Sequence, residues 1–168
     1  LKDGPAELPG GEAERIARYF VAPPYETLSP IDAGFEARRL KDAAFDRFVS
    51  TNLHPHKQAG YGIVTISLKP IAGIPGDATA EQMEAVAALA ERYSFGEIRV
   101  SHEQNLVLPH VRLSDIPAVF DALGEAGLAT ANVGLISDII ACPGLDSCNP
   151  SNARPIPVTQ RNAASFAP

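Results

Sequence analysis

Two cysteines, Cys142 and Cys148, are the only thiols among the 168 residues, and the stretch ACPGLDSC places five residues between them. Proline and glycine favour a tight turn there, in which backbone N–H groups can bond to sulfur. Thiolates are soft ligands that suit iron–sulfur clusters or zinc. A [4Fe–4S] cluster normally takes four thiolates, and a closed zinc site takes four ligands. Spacing alone therefore favours free thiols or a fortuitous disulfide over a complete metal site.

A second group of polar residues lies in the stretch RVSHEQN, which contains Arg99, Gln104 and Asn105. A guanidinium and two amides near the end of a predicted strand can bind carboxylates or the polar edge of a ligand. The same residue types are common in turns, and the pattern alone favours that simpler interpretation. In NLHPHK, His54 and His56 form either a pair of metal ligands or, more often in such stretches, a polar loop that enters a strand.

Residues 60–128 predict the elements that must position these side chains. Alternation in GYGIVTISLKP predicts a strand, and GEIRVSHEQNLVLPHV predicts two short strands around a polar connection. The stretch TAEQMEAVAALAERY predicts a helix that begins with a capping box from Thr79 to Gln82. In LSDIPAVFDALGEAGL, a second helix is predicted with Ser114 as N-cap, Pro117 in the first turn and Gly127 as the stop. The apolar stripes of the two helices are Met83, Val86, Ala87 and Ala90, and Ile116, Val119, Phe120 and Leu123.

The predicted order β-α-β-β-α is typical of an α+β sandwich of the ferredoxin-like kind. If the helices cover one face of the sheet, the opposite face is polar and partly cationic. A solvated face is the interpretation that the pattern favours, and an anionic ligand or a partner domain is the alternative. The helix-covered face would carry Val64, Ile66, Ile98 and Val100, and the polar face Thr65, Ser67, Lys69, Arg99 and Ser101.

The flanking segments differ in character from this unit. Residues 1–50 are interpreted as an arm with a short helix over 12–20 and a second helix over 35–52. After residue 128, a strand-like run over 135–141 leads into the cysteine loop. Beyond Cys148, prolines are expected to break any long helix.

Composition excludes several classes of function. A net charge of −6 and a pI near 5.1 argue against a general nucleic-acid binder. No apolar stretch reaches the length of a membrane span, and because the first residues lack a basic and an apolar region, a secretory signal is not expected. Two cysteines are too few for a secreted disulfide scaffold, so a cytoplasmic location is expected.

Taken together, these stretches resemble the sulfite and nitrite reductases that carry sirohaem and a [4Fe–4S] cluster. In that family a ferredoxin-like half-domain contains the pattern R-x-[ST]-x-x-Q-N, which is followed by a cysteine pair with five residues between. The matching residues are Arg99, Ser101, Gln104, Asn105, Cys142 and Cys148. The resemblance covers roughly residues 45–160 and is greatest to the second of the family's two related halves.

The resemblance implies an N-terminal arm over 1–50, a ferredoxin-like half-domain over 51–128 and the incomplete start of a sirohaem/[4Fe–4S] domain over 129–168. Cys142 and Cys148 would be two of the four thiolate ligands of the cluster. Sirohaem would be bordered by Arg99, Gln104 and Asn105, and no catalytic residue is assigned in this chain. The reaction would be a six-electron reduction of sulfite to sulfide or of nitrite to ammonia, with ferredoxin or a flavoprotein as donor. No nucleic acid or membrane is expected as a partner.

Departures from the family pattern qualify this expectation. The family's second cysteine pair is missing, and Asn149-Pro150-Ser151 follows Cys148 where Leu-Ala is common. We therefore expect a fragment, a truncated gene product or a degenerate one that is inactive alone. The alternatives are a non-catalytic ferredoxin-like binding module and, less favoured because C-x-x-C spacing is lacking, a thiol-redox domain.

Overall fold

The computed structural model describes residues 8–71 and 73–166, and a four-stranded antiparallel sheet forms its centre. The strands, in the spatial order β1-β2-β4-β3, are β1 (Leu53–Pro55), β2 (Tyr61–Ser67), β3 (Arg99–Val100) and β4 (Asn105–Arg112). The predicted order β-α-β-β-α is confirmed, and β1 adds an edge strand. The first seven residues of the predicted arm, residue 72 of the following link and the last two residues lie outside the described residues.

The described ranges hold six α-helices: α1 (Glu12–Ala17), α2 (Ala33–Lys41), α3 (Ala43–Asn52), α4 (Ala80–Tyr93), α5 (Ile116–Glu125) and α6 (Ile156–Ser165). The single helix predicted over 35–52 is wrong, because Asp42 interrupts it. The backbone of Asp42 is extended, and its carboxylate accepts hydrogen bonds from the N–H groups of Ala44 and Phe45 at 3.0 and 3.1 Å. Asp42 thus ends α2 and caps α3.

Apolar side chains from the helices and from one face of the sheet form a continuous core. The capping box at the start of α4 is confirmed, with Thr79 and Gln82 bonded reciprocally. Ser114 is not the cap of α5, because it lies in a 3₁₀ turn and the helix follows Asp115. Fully buried members of the core are Phe45, Phe48, Val64, Ile66, Val86, Leu108, Val111, Ile116, Val119 and Leu123. Met83, Ala87 and Val100, which were predicted to face the helices or the core, are exposed.

A β-bulge interrupts the pairing of the two central strands. Val64 lies opposite Leu108 and Gly62 opposite Val111, so Pro109 and His110 together face one residue of β2. The N–H of His110 donates instead to the hydroxyl of Ser94, at 3.2 Å. The bulge therefore ties β4 to the C-terminal end of α4.

The segment before the cysteines differs from its prediction. Residues 135–141 form turns and irregular backbone, not a strand. Instead of hydrogen bonds to a neighbouring strand, this backbone has hydrogen bonds to side chains, such as those between Gln104 and Ala141. Beyond the cysteines α6 does form, because Pro157 lies in its first turn, where a missing N–H breaks no helical hydrogen bond.

Membrane-spanning geometry was sought among the helices of the described ranges. None of them is both long and apolar enough to cross a bilayer.

Candidate functional site

The cysteine loop is a tight turn that packs against the segment following it. A 3₁₀ turn over Gly144–Asp146 lies between the two thiols. Gly144 has φ +59°, and a Cβ there would come within 2.4 Å of the carbonyl oxygen of Ala153, so only glycine fits. The Gly144 N–H lies 3.4 Å from the sulfur of Cys142. Both cysteines are free thiols, with Cys142 exposed and Cys148 half-buried.

Gln104 holds the residue that immediately precedes Cys142. Its side-chain amide donates to the carbonyl oxygen of Ala141 at 3.0 Å and accepts from the N–H of Ala141 at 3.2 Å. The backbone of Gln104 has φ +60°, which is uncommon for a residue other than glycine. The predicted RVSHEQN turn and the predicted cysteine loop are thus in direct contact, although 37 residues separate Gln104 from Ala141.

Lys69, Asn105 and Asp138 form a buried polar cluster on the sheet face opposite the core. The ammonium group of Lys69 donates to Asp138 and to the side-chain oxygen of Asn105, both at 2.7 Å. The side chains of Lys69 and Asp138 are 2% and 7% exposed. Charged groups are rarely buried this deeply unless they are paired. The ion pair therefore fixes the segment that carries Asp138 onto the sheet.

The part of the polar sheet face that follows β2 is consequently covered, so the prediction of a solvated face is wrong there, whereas Arg99 on the edge strand stays exposed. Thr65, Ser67 and Lys69 are all buried. The segment over residues 130–141 lies across them, and Asn132 donates to the carbonyl oxygens of Lys69 and Ser137 at 3.0 and 3.3 Å. Irregular backbone can cover a sheet in this way because polar side chains satisfy its N–H and C=O groups.

Arg99 contacts different residues from those that Gln104 and Asn105 contact. It is on the edge strand β3, its side chain is 59% exposed, and its guanidinium bonds to Glu97 at 2.6 Å. The three residues singled out from RVSHEQN therefore have separate partners: Glu97 for Arg99, Ala141 for Gln104, and Lys69 with Asp138 for Asn105. In this arrangement they do not line one pocket.

A cleft of about 470 Å³ adjoins the cysteine loop. Its lining includes Gln104 and Ala141 on one side and residues of the loop and α6 on the other. Asp77 and Asp146 also line it, so an anionic ligand would meet two carboxylates there. A larger groove lies between α4 and α5, away from the thiols.

A network that the sequence analysis did not predict links the arm to the sheet. The hydroxyl of Tyr25 lies 2.9 Å from Nδ1 of His110, and Nε2 of His110 lies 3.1 Å from Glu97. Nδ1 of His56 accepts from the N–H of Gln58 at 2.8 Å, and its Nε2 lies 3.5 Å from the Tyr25 hydroxyl. The only signal for this network in the sequence was the pair of histidines in NLHPHK, and one of the two, His56, belongs to the network.

The N–H of Gln58 donates to Nδ1 of His56, so the proton of the neutral ring lies on Nε2. This Nε2 lies 3.4 Å from Nδ1 of His110 and 3.5 Å from the Tyr25 hydroxyl. A metal ion would need the Nε2 lone pair of His56, which this arrangement occupies with a proton. Within the described residues no three His, Cys, Asp or Glu side chains form a metal site.

The pKa values of His56 and Glu97 in this network are both lowered. For His56 burial is the chief cause, and the charges of His110 and Arg99 act in the same direction. For Glu97 burial acts to raise the pKa, but the hydrogen bonds and charges of Arg99 and His110 outweigh it, and the pKa of Glu97 is lowered.

Comparison with known proteins matches the central unit to one family. Residues 54–126 match the family model described as the nitrite/sulfite reductase ferredoxin-like half domain.

Several ferredoxin–nitrite reductases match a longer part of the chain. The chain is 30% identical over 129 residues to a chloroplastic ferredoxin–nitrite reductase of Spinacia oleracea, a match that covers 74% of this chain and 21% of that protein. It is 32% identical over 111 residues to the chloroplastic enzyme of Zea mays, covering 65% and 19%. A ferredoxin–nitrite reductase of Synechococcus elongatus is 30% identical over 97 residues, covering 58% and 18%. The chain thus spans about a fifth of the length of the relatives it matches.

Proposed function

We infer the function of this chain from its membership of the nitrite/sulfite reductase family, to which residues 54–126 belong as the ferredoxin-like half domain. We propose that it forms part of a reductase that converts nitrite to ammonia by six electrons, with ferredoxin as the donor. The names of the similar full-length proteins support nitrite and ferredoxin. Sulfite and a flavoprotein donor are the alternatives within the family.

The cysteine loop fits half of a [4Fe–4S] site. Cys142 and Cys148 are free thiols at an accessible turn, and thiolates are the usual ligands of such clusters. The N–H of Gly144 lies against the Cys142 sulfur, and hydrogen bonds of this kind tune the reduction potential of a cluster. Because the sequence holds no other cysteine, we propose that two further thiolates come from outside these 168 residues.

The residues proposed for sirohaem fit that cofactor less well than the two cysteines fit the cluster. Contact of Arg99, Gln104 and Asn105 with sirohaem stays a prediction, since the three side chains have separate partners and form no common pocket. We propose Arg99, the most exposed of the three, for the carboxylates of the cofactor. When bound, the two groups would supply electron transfer and a binding place for nitrite; the residues of this chain hold the cluster and border its surroundings.

The family match over residues 54–126, adjacent to the paired thiols, is the observation that carries the proposal. It is tested by tagging the protein at its own gene and purifying it with its associated chains without oxygen. We expect iron, sulfide and sirohaem absorption in the wild type, and loss of iron and sulfide in Cys142→Ser. Ser147→Ala, a change in the same loop without a thiol, is the matched control. Full iron and sulfide in Cys142→Ser would refute the ligand assignment.

Growth of the source organism after disruption of the gene separates the substrates. Failure on nitrite with growth on ammonium would support nitrite reduction. Failure on sulfite with growth on sulfide would assign sulfite as the substrate. Normal growth under all four conditions would support the non-catalytic binding module.

The isolated 168-residue chain is expected to lack a stable sirohaem–[4Fe–4S] assembly, since it supplies two of the four thiolates. Anaerobic reconstitution with iron, sulfide and sirohaem tests this, and a stoichiometric cluster with coupled sirohaem bands would contradict it. For the location we propose the cytoplasm; the plant relatives are named as chloroplastic.

A further inference from the structure

Two contacts tether the segment that leads into the cysteine loop. Asp138 is held by Lys69 and Asn105, and Ala141 is held by Gln104. The first contact is a buried ion pair on the polar sheet face, and the second is a pair of hydrogen bonds at the edge of that face. Cys142 directly follows Ala141, so its backbone is bonded to the residue that Gln104 holds in place.

The Gln104 contact constrains Ala141 more than one hydrogen bond would. A single planar amide engages both the N–H and the carbonyl of Ala141, which fixes the position and the rotation of that peptide segment relative to β4. Consecutive Cα atoms are about 3.8 Å apart, so a residue bonded directly to a fixed one has little freedom to move its thiol.

The backbone conformation at Gln104 determines the direction in which this amide points. Gln104 itself adopts the left-handed conformation, with φ +60°, which residues other than glycine adopt at a cost. Gly76 lies against it, and a Cβ built on Gly76 would contact the Gln104 side chain at 3.4 Å. The glutamine side chain therefore packs beside the backbone of Gly76 and bonds through its amide to Ala141.

We propose that Gln104 is a positioning residue for the Cys142 thiol: it sets the thiol in place beside Cys148 before any metal binds. The inference rests on the proposed function, because it treats the cysteine pair as metal ligands. It differs from the expected contact of Gln104 with sirohaem, since the amide acts through Ala141. Groups that orient a metal ligand in this way commonly change metal affinity by about 10- to 100-fold when they are removed.

The test uses Cd²⁺ as a probe that needs both thiolates and no cluster assembly. Gln104→Asn keeps the amide and tolerates the left-handed backbone, but it is one methylene too short to reach Ala141. We expect it to weaken Cd²⁺ binding by the purified chain about tenfold, as measured by thiolate-to-cadmium charge-transfer absorption. Hydrogen exchange at the Ala141 amide should become faster in the same variant.

Gln58→Asn, in the turn between β1 and β2, is the matched control and should leave Cd²⁺ affinity unchanged. Gln104→Leu removes both hydrogen bonds and, if it folds, should lower Cd²⁺ affinity as much as Gln104→Asn does. If Gln104→Leu does not fold, the result for Gln104→Asn decides the test. Faster Ala141 exchange with unchanged Cd²⁺ affinity would overturn the proposal, as would unchanged exchange. These readouts are independent of iron binding, so a failure here is distinct from retention of the cluster in Cys142→Ser.

Discussion

The two faces of the central sheet are covered by opposite means. On one face α3, α4 and α5 bury apolar side chains against β2 and β4. On the other face the irregular segment over 130–141 and the extended stretch around Tyr25 are attached, chiefly by the ion pair of Lys69 with Asp138 and by the hydrogen bond and ring contacts of Tyr25 with His110. Apolar burial is non-directional, whereas each polar contact depends on one particular partner. The comparison indicates that the helical face stabilises the fold and the polar face positions the segment with the thiols.

Removing a large side chain from the helical face should have the largest effect. Phe48 is fully buried in the core. We expect Phe48→Ala to lower the free energy of unfolding by about 3–5 kcal/mol, from lost burial and the cavity left behind. Chemical denaturation measures this, and Met83→Ala, at an exposed position, should change little. A loss below about 1 kcal/mol would contradict the role given to this face.

Breaking the ion pair of the polar face should cost less in global stability. Lys69→Met leaves Asp138 buried without its cation, a change that commonly costs about 3 kcal/mol. Because the attached segment is irregular, we expect part of this cost to be avoided by local detachment. Hydrogen exchange should therefore accelerate over 132–138 while β2 and β4 stay protected.

A double variant sharpens this comparison. Lys69→Met with Asp138→Leu should recover part of the lost stability, because no unpaired buried charge remains. Equal acceleration of exchange throughout the sheet in Lys69→Met would show that the two faces are not energetically separate.

A smaller, pH-dependent effect is expected where the arm meets the sheet. The folded protein lowers the pKa of His56, chiefly by burial, so the unfolded chain binds a proton more readily. Stability from this group is therefore fully present above the ordinary histidine pKa of about 6.5 and is lost as the pH falls from there through the folded value.

The measurement is the free energy of unfolding between pH 8 and pH 5, compared among variants. The pH dependence in this window should be weaker in His56→Gln than in the wild type. It should persist in His102→Gln, a change at an exposed histidine. An identical slope in His56→Gln and the wild type would rule out the contribution.

The smallest expected change concerns the start of α4, on the helical face. Thr79→Ala removes one half of the capping box and should cost about 1 kcal/mol. Thermal unfolding measures it. A Thr79→Ser variant keeps the hydroxyl and should lose much less, and equal losses in the two variants would disprove the capping role.

The same contrast explains which features the sequence could predict. Alternation in β2 and the apolar stripe of α5 repeat with the period of the element, so the core residues Val64, Ile66 and Leu123 were recognisable. The cap formed by Thr79 and Gln82 was also recognisable, because its residues are three apart.

The polar face has no such period. Tyr25 bonds to a histidine 85 residues away, and Lys69 pairs with an aspartate 69 residues away. A lysine on an alternating strand predicts a solvated face unless its carboxylate partner is known. The break at Asp42 was missed for a related reason, since an aspartate inside a helical pattern is also compatible with an exposed helical position.

For the candidate site, the residue types were predictable and their arrangement was not. Cys142 and Cys148 could be selected from the sequence because no other thiols compete with them. Gln104 was selected for a different contact, because no local pattern shows that its amide reaches Ala141.

The bulge at His110 couples the end of α4 to the extended stretch around Tyr25, alongside the contact between the rings of Tyr25 and Phe95. Its N–H is bonded to Ser94 at the end of α4, and its imidazole is bonded to Tyr25 and Glu97. An axial displacement of α4 would therefore move the imidazole, and with it the hydroxyl of the arm. In mechanical terms His110 is a pivot between a helix and the arm, and the neighbouring ring of Phe95 braces it, so a force applied to either one reaches the other through adjacent side chains.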